Sequence, residues 1–199
     1  MTEFNTVCVY CGSSDRVPGA YLDVARRLAR ALKGKSSRLV YGGGSTGLMG
    51  TLADEAIMSG LDVLGIIPEA FNTPNLAHNS LGEMQVVGTI HERKARMAEV
   101  ADAFIALPGG YGTLEELFEI MTWAQIGFHH KPVGILNCHG YFDHLMTFLD
   151  HVRQEGFVYK EHRDLFILHD DPEILLDLMA AYVPPQNISR WVTREDGKL

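Results

Sequence analysis

Ala103-Phe104-Ile105-Ala106-Leu107-Pro108-Gly109-Gly110-Tyr111-Gly112-Thr113-Leu114-Glu115-Glu116 decides how this chain folds. A short apolar run over 103–107 reads as a buried strand. It stops at a proline and a glycine-rich turn, and a helical pattern takes over at 114–126. Strand, turn and helix in that order make one β–α unit.

The same order recurs outward in both directions. Strand patterns fall at 6–10, 38–41, 61–67, 133–136 and 166–168, with a weaker one at 84–87. Helical patterns lie between them at 21–32, 48–59, 90–100, 143–154 and 172–182. In the first helix Leu22, Ala25, Leu28, Ala29 and Leu32 form one apolar stripe. Gly60 is placed to end the second helix, and Pro172 suits the first turn of the last. Strict alternation predicts an α/β fold: a doubly wound, mostly parallel, Rossmann-like sheet with helices on both faces. Right-handed crossovers then gather every strand end and helix start on one edge, where ligands bind. The reading is one domain over 1–183 and a weakly patterned C-terminal tail over 184–199. The segment 68–82, rich in Pro, Asn and Ser, is a lid or partner-contacting loop.

Composition narrows the function. The chain has 199 residues and a formal net charge of −8, so polyanionic nucleic acid and acidic membranes are disfavoured as partners. Three cysteines, Cys8, Cys11 and Cys138, argue against a disulfide framework and for a reducing, cytoplasmic setting. No signal-peptide pattern and no membrane-length apolar run is present.

Three loops on the expected edge carry the chemistry. They are Cys11-Gly12-Ser13-Ser14, then Gly42-Gly43-Gly44-Ser45-Thr46-Gly47, then 108–113. Glycines let backbone N–H groups approach a phosphate, and the helix dipole favours the anion. Three such loops converging point to anion binding, with Ser13, Gly43 and Gly44 among the contacts. The second loop matches G-x-G-x-x-G, but a complete β–α unit precedes it, which speaks against a dinucleotide fingerprint. Thr113 followed by Glu116 reads equally as a capping box or as a carboxylate one turn above a phosphate cradle. Thr89 and Glu92 make a second capping box. The helix it opens carries Arg93 in the stripe Ile90, Arg93, Met97, Val100, and a buried guanidinium needs a carboxylate or phosphate partner. Arg96, four residues after Glu92, reads as its surface pair. Cys8 and Cys11 straddle a strand end facing opposite ways, and the nine histidines include no H-E-x-x-H, so no metal is expected.

The run 108–116 resembles the P-G-G-x-G-T-x-x-E signature of the LONELY GUY family, the cytokinin riboside 5′-monophosphate phosphoribohydrolases long mislabelled lysine decarboxylases. His91-Glu92-Arg93-Lys94 is similar to that family's companion motif, as are Tyr41-Gly42-Gly43-Gly44, Gly47-Leu48-Met49-Gly50, 121–127 and 131–134. The resemblance covers roughly 7–182. It implies catalytic roles for Arg93 and Glu116. It implies nucleotide contacts from Lys94, Gly110, Tyr111, Gly112, Thr113, Leu114, Glu115 and Thr122, with Gly109 joining the phosphate-holding backbone. It further implies a homodimer with the site near the interface, a nucleoside 5′-monophosphate substrate, either N6-modified or plain AMP, and no cofactor. Plant members carry a substrate-contacting Glu in the loop before the Arg-Lys pair; counting back places Asn75 there. Two other functions fit less well. A non-catalytic nucleotide carrier has no need of a carboxylate at Glu116. A decarboxylase needs pyridoxal phosphate on a buried lysine with an acidic partner, which nothing in the sequence supports.

Overall fold

The computed structural model describes residues 3–186 and Ile188. Seven strands, β1 (Phe4–Tyr10), β2 (Ser36–Tyr41), β3 (Asp62–Pro68), β4 (Glu83–Val87), β5 (Ala103–Ala106), β6 (Val133–Leu136) and β7 (Ile167–His169), form one sheet in the order β4-β3-β2-β1-β5-β6-β7. Every pairing is parallel. Six α-helices accompany them, five between strands and the last after β7: α1 (Gly19–Lys35), α2 (Gly47–Met58), α3 (Ile90–Val100), α4 (Tyr111–Gln125), α5 (Asp143–Gln154) and α6 (Pro172–Ala180). All the expected strands are present, including the weak one, which becomes the edge strand β4.

The chain builds outward from β1 to β4 on one side, then returns to lay β5 on the other flank of β1. Val7 pairs with Leu39 of β2 on one side and Ala103 of β5 on the other. The order therefore reverses beside β1. The loops leaving β1 and β5 diverge there, opening the crevice where such sheets hold ligands.

Alternation along β1 sorts the two cores. Val7, Val9 and Cys11 face a layer of α1, α2 and α6, whose Leu28, Leu52 and Leu175 are fully buried. Cys8 and Tyr10 face the other layer with Met97 of α3, Leu117 of α4 and, partly buried, Leu149 of α5. Each large apolar side chain so buried contributes about 1.5–3 kcal/mol. The three cysteines are free and buried, with Cys8 and Cys11 on opposite faces as expected.

Two helix starts differ from expectation. The first helix begins at Gly19, just past Pro18, and runs through Gly34 to Lys35. The fourth begins at Tyr111 with Gly110 as N-cap, three residues before the expected start. Thr113 lies inside α4 and caps nothing, so the capping-box reading of Thr113 and Glu116 is wrong. At α3 the Thr89 cap is present, with Thr89 Oγ1 accepting from Glu92 N at 3.1 Å, while Glu92 reaches one residue past the cap and accepts from Gly88 N at 2.8 Å. With Glu92 so engaged, Arg96 pairs instead with Glu99 at 2.7 Å and with Gln85. Where the tail begins, Ile188 is buried with Ala124 and Leu165, and its carbonyl accepts from His162 Nε2 at 3.0 Å. Residues 187 and 189–199 of the expected tail lie outside the described residues. Among the described residues no helix is long and apolar enough to cross a membrane.

Gly47 joins two of the glycine loops. Its φ is +61°, and a Cβ there would come 2.4 Å from the Ser14 carbonyl oxygen. A left-handed φ costs a non-glycine residue about 1–2 kcal/mol, and backbone contact adds to it. Gly47→Ala should lower Tm by at least about 4 °C. Gly19→Ala, where a Cβ meets nothing within 4 Å, should leave it unchanged. Equal melting of the two variants would show that the loops do not depend on this contact.

Candidate active site

A cleft of about 650 Å³ lies at the ends of β1 and β5. Its walls come from elements far apart in sequence. The loop after β1 supplies Gly12, Ser13 and Ser14; the loop after β5 supplies Pro108, Gly109 and Gly110. Gly12 N donates to the Pro108 carbonyl at 3.0 Å, which ties the two loops together. They cross so closely that a Cβ on Gly109 would sit 2.0 Å from Thr113 Oγ1 and 2.9 Å from Gly12 N. The hydroxyl of Tyr141 donates to the Gly109 carbonyl at 2.7 Å from a third side.

This crossing aims donors into the cleft. The N–H groups of Gly109 and Gly110 make no hydrogen bond among the described residues, and those of Tyr111, Gly112 and Thr113 belong to a first helical turn, which has no carbonyls of its own to use. A run of free N–H groups at the positive end of α4 is a cradle for an anion.

The second glycine loop does something else. Leu48 N and Met49 N, at the start of α2, both donate to the Gly12 carbonyl, at 3.0 and 3.2 Å. Thr46 Oγ1 donates to the Ser13 carbonyl at 2.6 Å. The donors that were expected to meet an anion are spent on holding the first loop. Gly43 and Gly44 lie off the cleft: they pair with 76–78 of the long loop, through Ser45 N to Leu76 O and His78 N to Gly43 O, both 2.9 Å. So two of the three glycine loops line the cleft, and the third braces the first of them. The long loop is anchored at 76–78 and reaches the cleft through Phe71; Asn75 is exposed on it.

At the floor lie Arg93 and Glu116. Arg93 Nη2 stands 3.0 Å from Glu116 Oε1, with the residues only 8% and 6% exposed. The apolar stripe of α3 therefore buries its guanidinium against a carboxylate that also faces the cleft. The ion-pair reading of Arg93 holds, and the pair itself lines the cleft. Gly42 makes room for it: a Cβ there would come within 2.1 Å of Arg93 Nη2. Arg93 Nε is buried with no hydrogen-bond partner among the described residues, leaving one donor unused. Burial pushes the Glu116 carboxyl up to about 7, against the pull of Arg93; Glu115 and Glu119 push it the same way as burial, and Lys94 opposes them. The thiols of Cys8, Cys11 and Cys138 are all pushed up by burial, so none offers a thiolate at neutral pH.

Of the residues expected at the site, Ser13, Arg93, Gly109, Gly110, Gly112, Thr113 and Glu116 come together here. Lys94 does not: it is buried and bonded to Glu115 and, at 2.9 Å, to Glu119. Tyr111 is 94% exposed, and Leu114 packs into the core. Thr122 donates to the Phe118 carbonyl and lines a separate small cavity with Phe118 and Leu149. Sequence reasoning missed Tyr141, Phe71 and Arg16 as parts of the site. Tyr141 was findable, because it follows β6 on the edge where all the post-strand loops gather.

Fold and cleft together define a doubly wound α/β protein with an anion cradle and a buried Arg–Glu pair at its switch point. A family model described as "Possible lysine decarboxylase" matches residues 49–179. The chain is 47% identical over 183 residues to cytokinin riboside 5′-monophosphate phosphoribohydrolase LOG2 of Arabidopsis thaliana, covering 92% of this chain and 86% of that protein. It is 46% identical to the probable cytokinin riboside 5′-monophosphate phosphoribohydrolase LOGL3 of Oryza sativa subsp. japonica, covering 92% and 87%. This chain belongs to that family, the LONELY GUY phosphoribohydrolases. Among solved structures, a molybdenum cofactor binding protein from Rippkaea orientalis superposes with a TM-score of 0.66 at 22% identity, covering 89% of this chain and 96% of that one. The molybdenum cofactor carrier protein of Chlamydomonas reinhardtii gives 0.65 at 20% identity, covering 89% and 99%. These two likenesses are of fold.

An ammonium cannot fill a slot built for a planar guanidinium. Arg93→Lys should therefore lose most turnover, while Arg96→Lys, on the surface with Glu99, should keep it. Steady-state rates of the two variants side by side make the check. Equal losses would remove the case for Arg93.

Proposed function

We propose that the protein hydrolyses the N-glycosidic bond of a purine nucleoside 5′-monophosphate, AMP or an N6-substituted AMP, releasing the base and ribose 5-phosphate. The observation that carries this is the buried Glu116–Arg93 pair beside a backbone anion cradle. The names of its relatives support it, since they are phosphoribohydrolases of cytokinin riboside 5′-monophosphates.

The chemistry follows from charge. As the C1′–N bond breaks, its electron pair goes to the purine and positive charge builds on the sugar. A carboxylate near C1′ stabilises that charge and takes a proton from the attacking water. The water oxygen then bonds to C1′, and the departing purine gains a proton. Glu116 is that carboxylate. A carboxyl pushed up to about 7 is suited to the task, because it both takes and releases a proton near neutrality. Arg93 holds Glu116 in place and brings positive charge to the cleft wall beside it. The N–H groups of Gly109 through Thr113 hold the 5′-phosphate, which fixes the sugar over the carboxylate. Lys94, Glu115 and Thr122 enter this reading as neighbours of the site rather than as cleft walls.

The reading extends to a cytoplasmic homodimer. Phe118 of α4, Phe148 of α5 and Phe157 just beyond it are exposed, and apolar surface of that kind favours a second copy. A carrier on the same fold is the second reading. Its support is the likeness of fold to the molybdenum cofactor proteins, and it gives Glu116 no work to do.

Base release from AMP and from adenosine, by parent protein and by Glu116→Gln, tests the proposal. AMP should be cleaved and adenosine nearly inert, and the variant should lose at least about a hundredfold in turnover. Glutamine keeps an oxygen for Arg93, so AMP binding should persist. Normal turnover in a folded variant would reduce Glu116 to a structural ion-pair partner, and cleavage of adenosine as fast as AMP would remove the phosphate cradle's role.

The pH dependence has a definite sign. The base must be ionised, and its carboxyl is raised, so kcat should climb with pH to a limb near 7 and level off above it. A plateau continuing down to pH ~5 would place the titrating group in the ordinary carboxylate range.

A further inference from the structure

The glycine loops offer a phosphate dianion no full positive charge. Backbone N–H groups are neutral dipoles, and the chain as a whole is strongly negative at −8. Only two cationic side chains line the cleft among the described residues, Arg93 and Arg16. Arg93 is committed: it is buried, 3.0 Å from Glu116, with its tip against Gly42. Lys94, the nearest lysine in sequence, is bonded to Glu115 and Glu119 and lies off the cleft.

Arg16 is free. It follows the first glycine loop, between Ser14 and the start of α1, and its side chain is exposed. Its guanidinium makes no hydrogen bond or ion pair among the described residues; only its backbone N–H is engaged, by Ser14 Oγ at 3.3 Å. The loop that carries it is not loose. Gly12 is held by Pro108 and by the start of α2, and Ser13 by Thr46. Through Gly12, that loop abuts Gly109, the first residue of the anion cradle. Arg16 thus lines the same cleft as Gly110, Gly112 and Thr113, on a braced support.

We propose that Arg16 is the counter-charge for the substrate's 5′-phosphate, closing onto it from the loop after β1 while the backbone of 109–113 holds it. This rests on the proposed phosphoribohydrolase reading for the identity of the ligand, and on the cleft alone for the site. A guanidinium meets two phosphate oxygens at once, so it orients the phosphate as well as attracting it. The residue divides the labour of the two arginines: Arg93 serves the reacting carbon and Arg16 the anchoring group. Sequence reasoning passed over it because no local pattern marks an exposed arginine in a loop.

The test uses the whole protein and binding as well as rate. Dissociation constants for ribose 5-phosphate and for inorganic phosphate are measured by calorimetry for the parent, Arg16→Ala and Arg16→Lys. KM and kcat for AMP are measured in parallel. Arg26→Ala, which breaks only a surface pair with Asp23, is the control. Arg16→Ala should raise both dissociation constants and the KM for AMP at least tenfold, with kcat changing less than KM. Arg16→Lys should recover part of the loss. Unchanged binding of both phosphate ligands in a folded Arg16→Ala protein would overturn the proposal. So would a loss confined to kcat. If the parent releases no base from any monophosphate yet binds ribose 5-phosphate through Arg16, the proposed reaction fails and the phosphate site stands.

Discussion

A guanidinium and a carboxylate 3.0 Å apart, each more than nine-tenths buried, set the conditions that the rest of the site has to meet. Neither charge is tolerable there alone, because desolvation of a lone ion costs several kcal/mol. Arg93 on α3 and Glu116 on α4 must therefore arrive together, and three features serve that meeting. Gly42 keeps the end of β2 clear of the guanidinium. Gly110 starts α4 early enough to place Glu116 inside its second turn. Met97 and Leu117 hold the two helices in one apolar layer against the sheet. Burial then leaves its mark on the carboxyl, which ionises with difficulty even beside an arginine.

The glycine loops are a second consequence of crowding. The ends of β1 and β5 are neighbours in the sheet, so the loops that leave them must cross before they part. Gly12 and Gly109 meet at that crossing with no room for a side chain on Gly109. The loop after β2 braces them from below, using the start of α2 to bind the Gly12 carbonyl. A rigid crossing matters for function. A cradle that shifted by an ångström would carry the sugar out of reach of the carboxylate.

Much of this was legible in the sequence because it depends on local pattern. Strand and helix alternation predicted the parallel sheet, and the edge that gathers the loops followed from handedness. The stripe Ile90, Arg93, Met97, Val100 showed that Arg93 needed a buried partner. What it could not show was that Glu116 is that partner, since nothing local relates α3 to α4. The misreadings share this cause. Thr113 looked like a cap because Gly110-Tyr111-Gly112 looks like loop, yet glycine is an acceptable N-cap and the helix starts there. The second glycine loop looked like an anion site because its free donors were visible and the Gly12 carbonyl that takes them was not. Lys94 was expected as a ligand by family likeness; the structure bonds it to Glu115 and Glu119 of α4, which no local pattern relates to α3.

The central claim is that burial against Arg93 leaves Glu116 as a carboxyl that changes charge near neutrality. Carboxyl infrared difference spectra, or carboxyl carbon NMR, of the parent minus Glu116→Gln across pH 4 to 9 would read that ionisation directly. The account predicts one group lost in the variant, titrating near pH 7. A Glu116 signal already fully ionised at pH ~5, in the ordinary carboxylate manner, would contradict it.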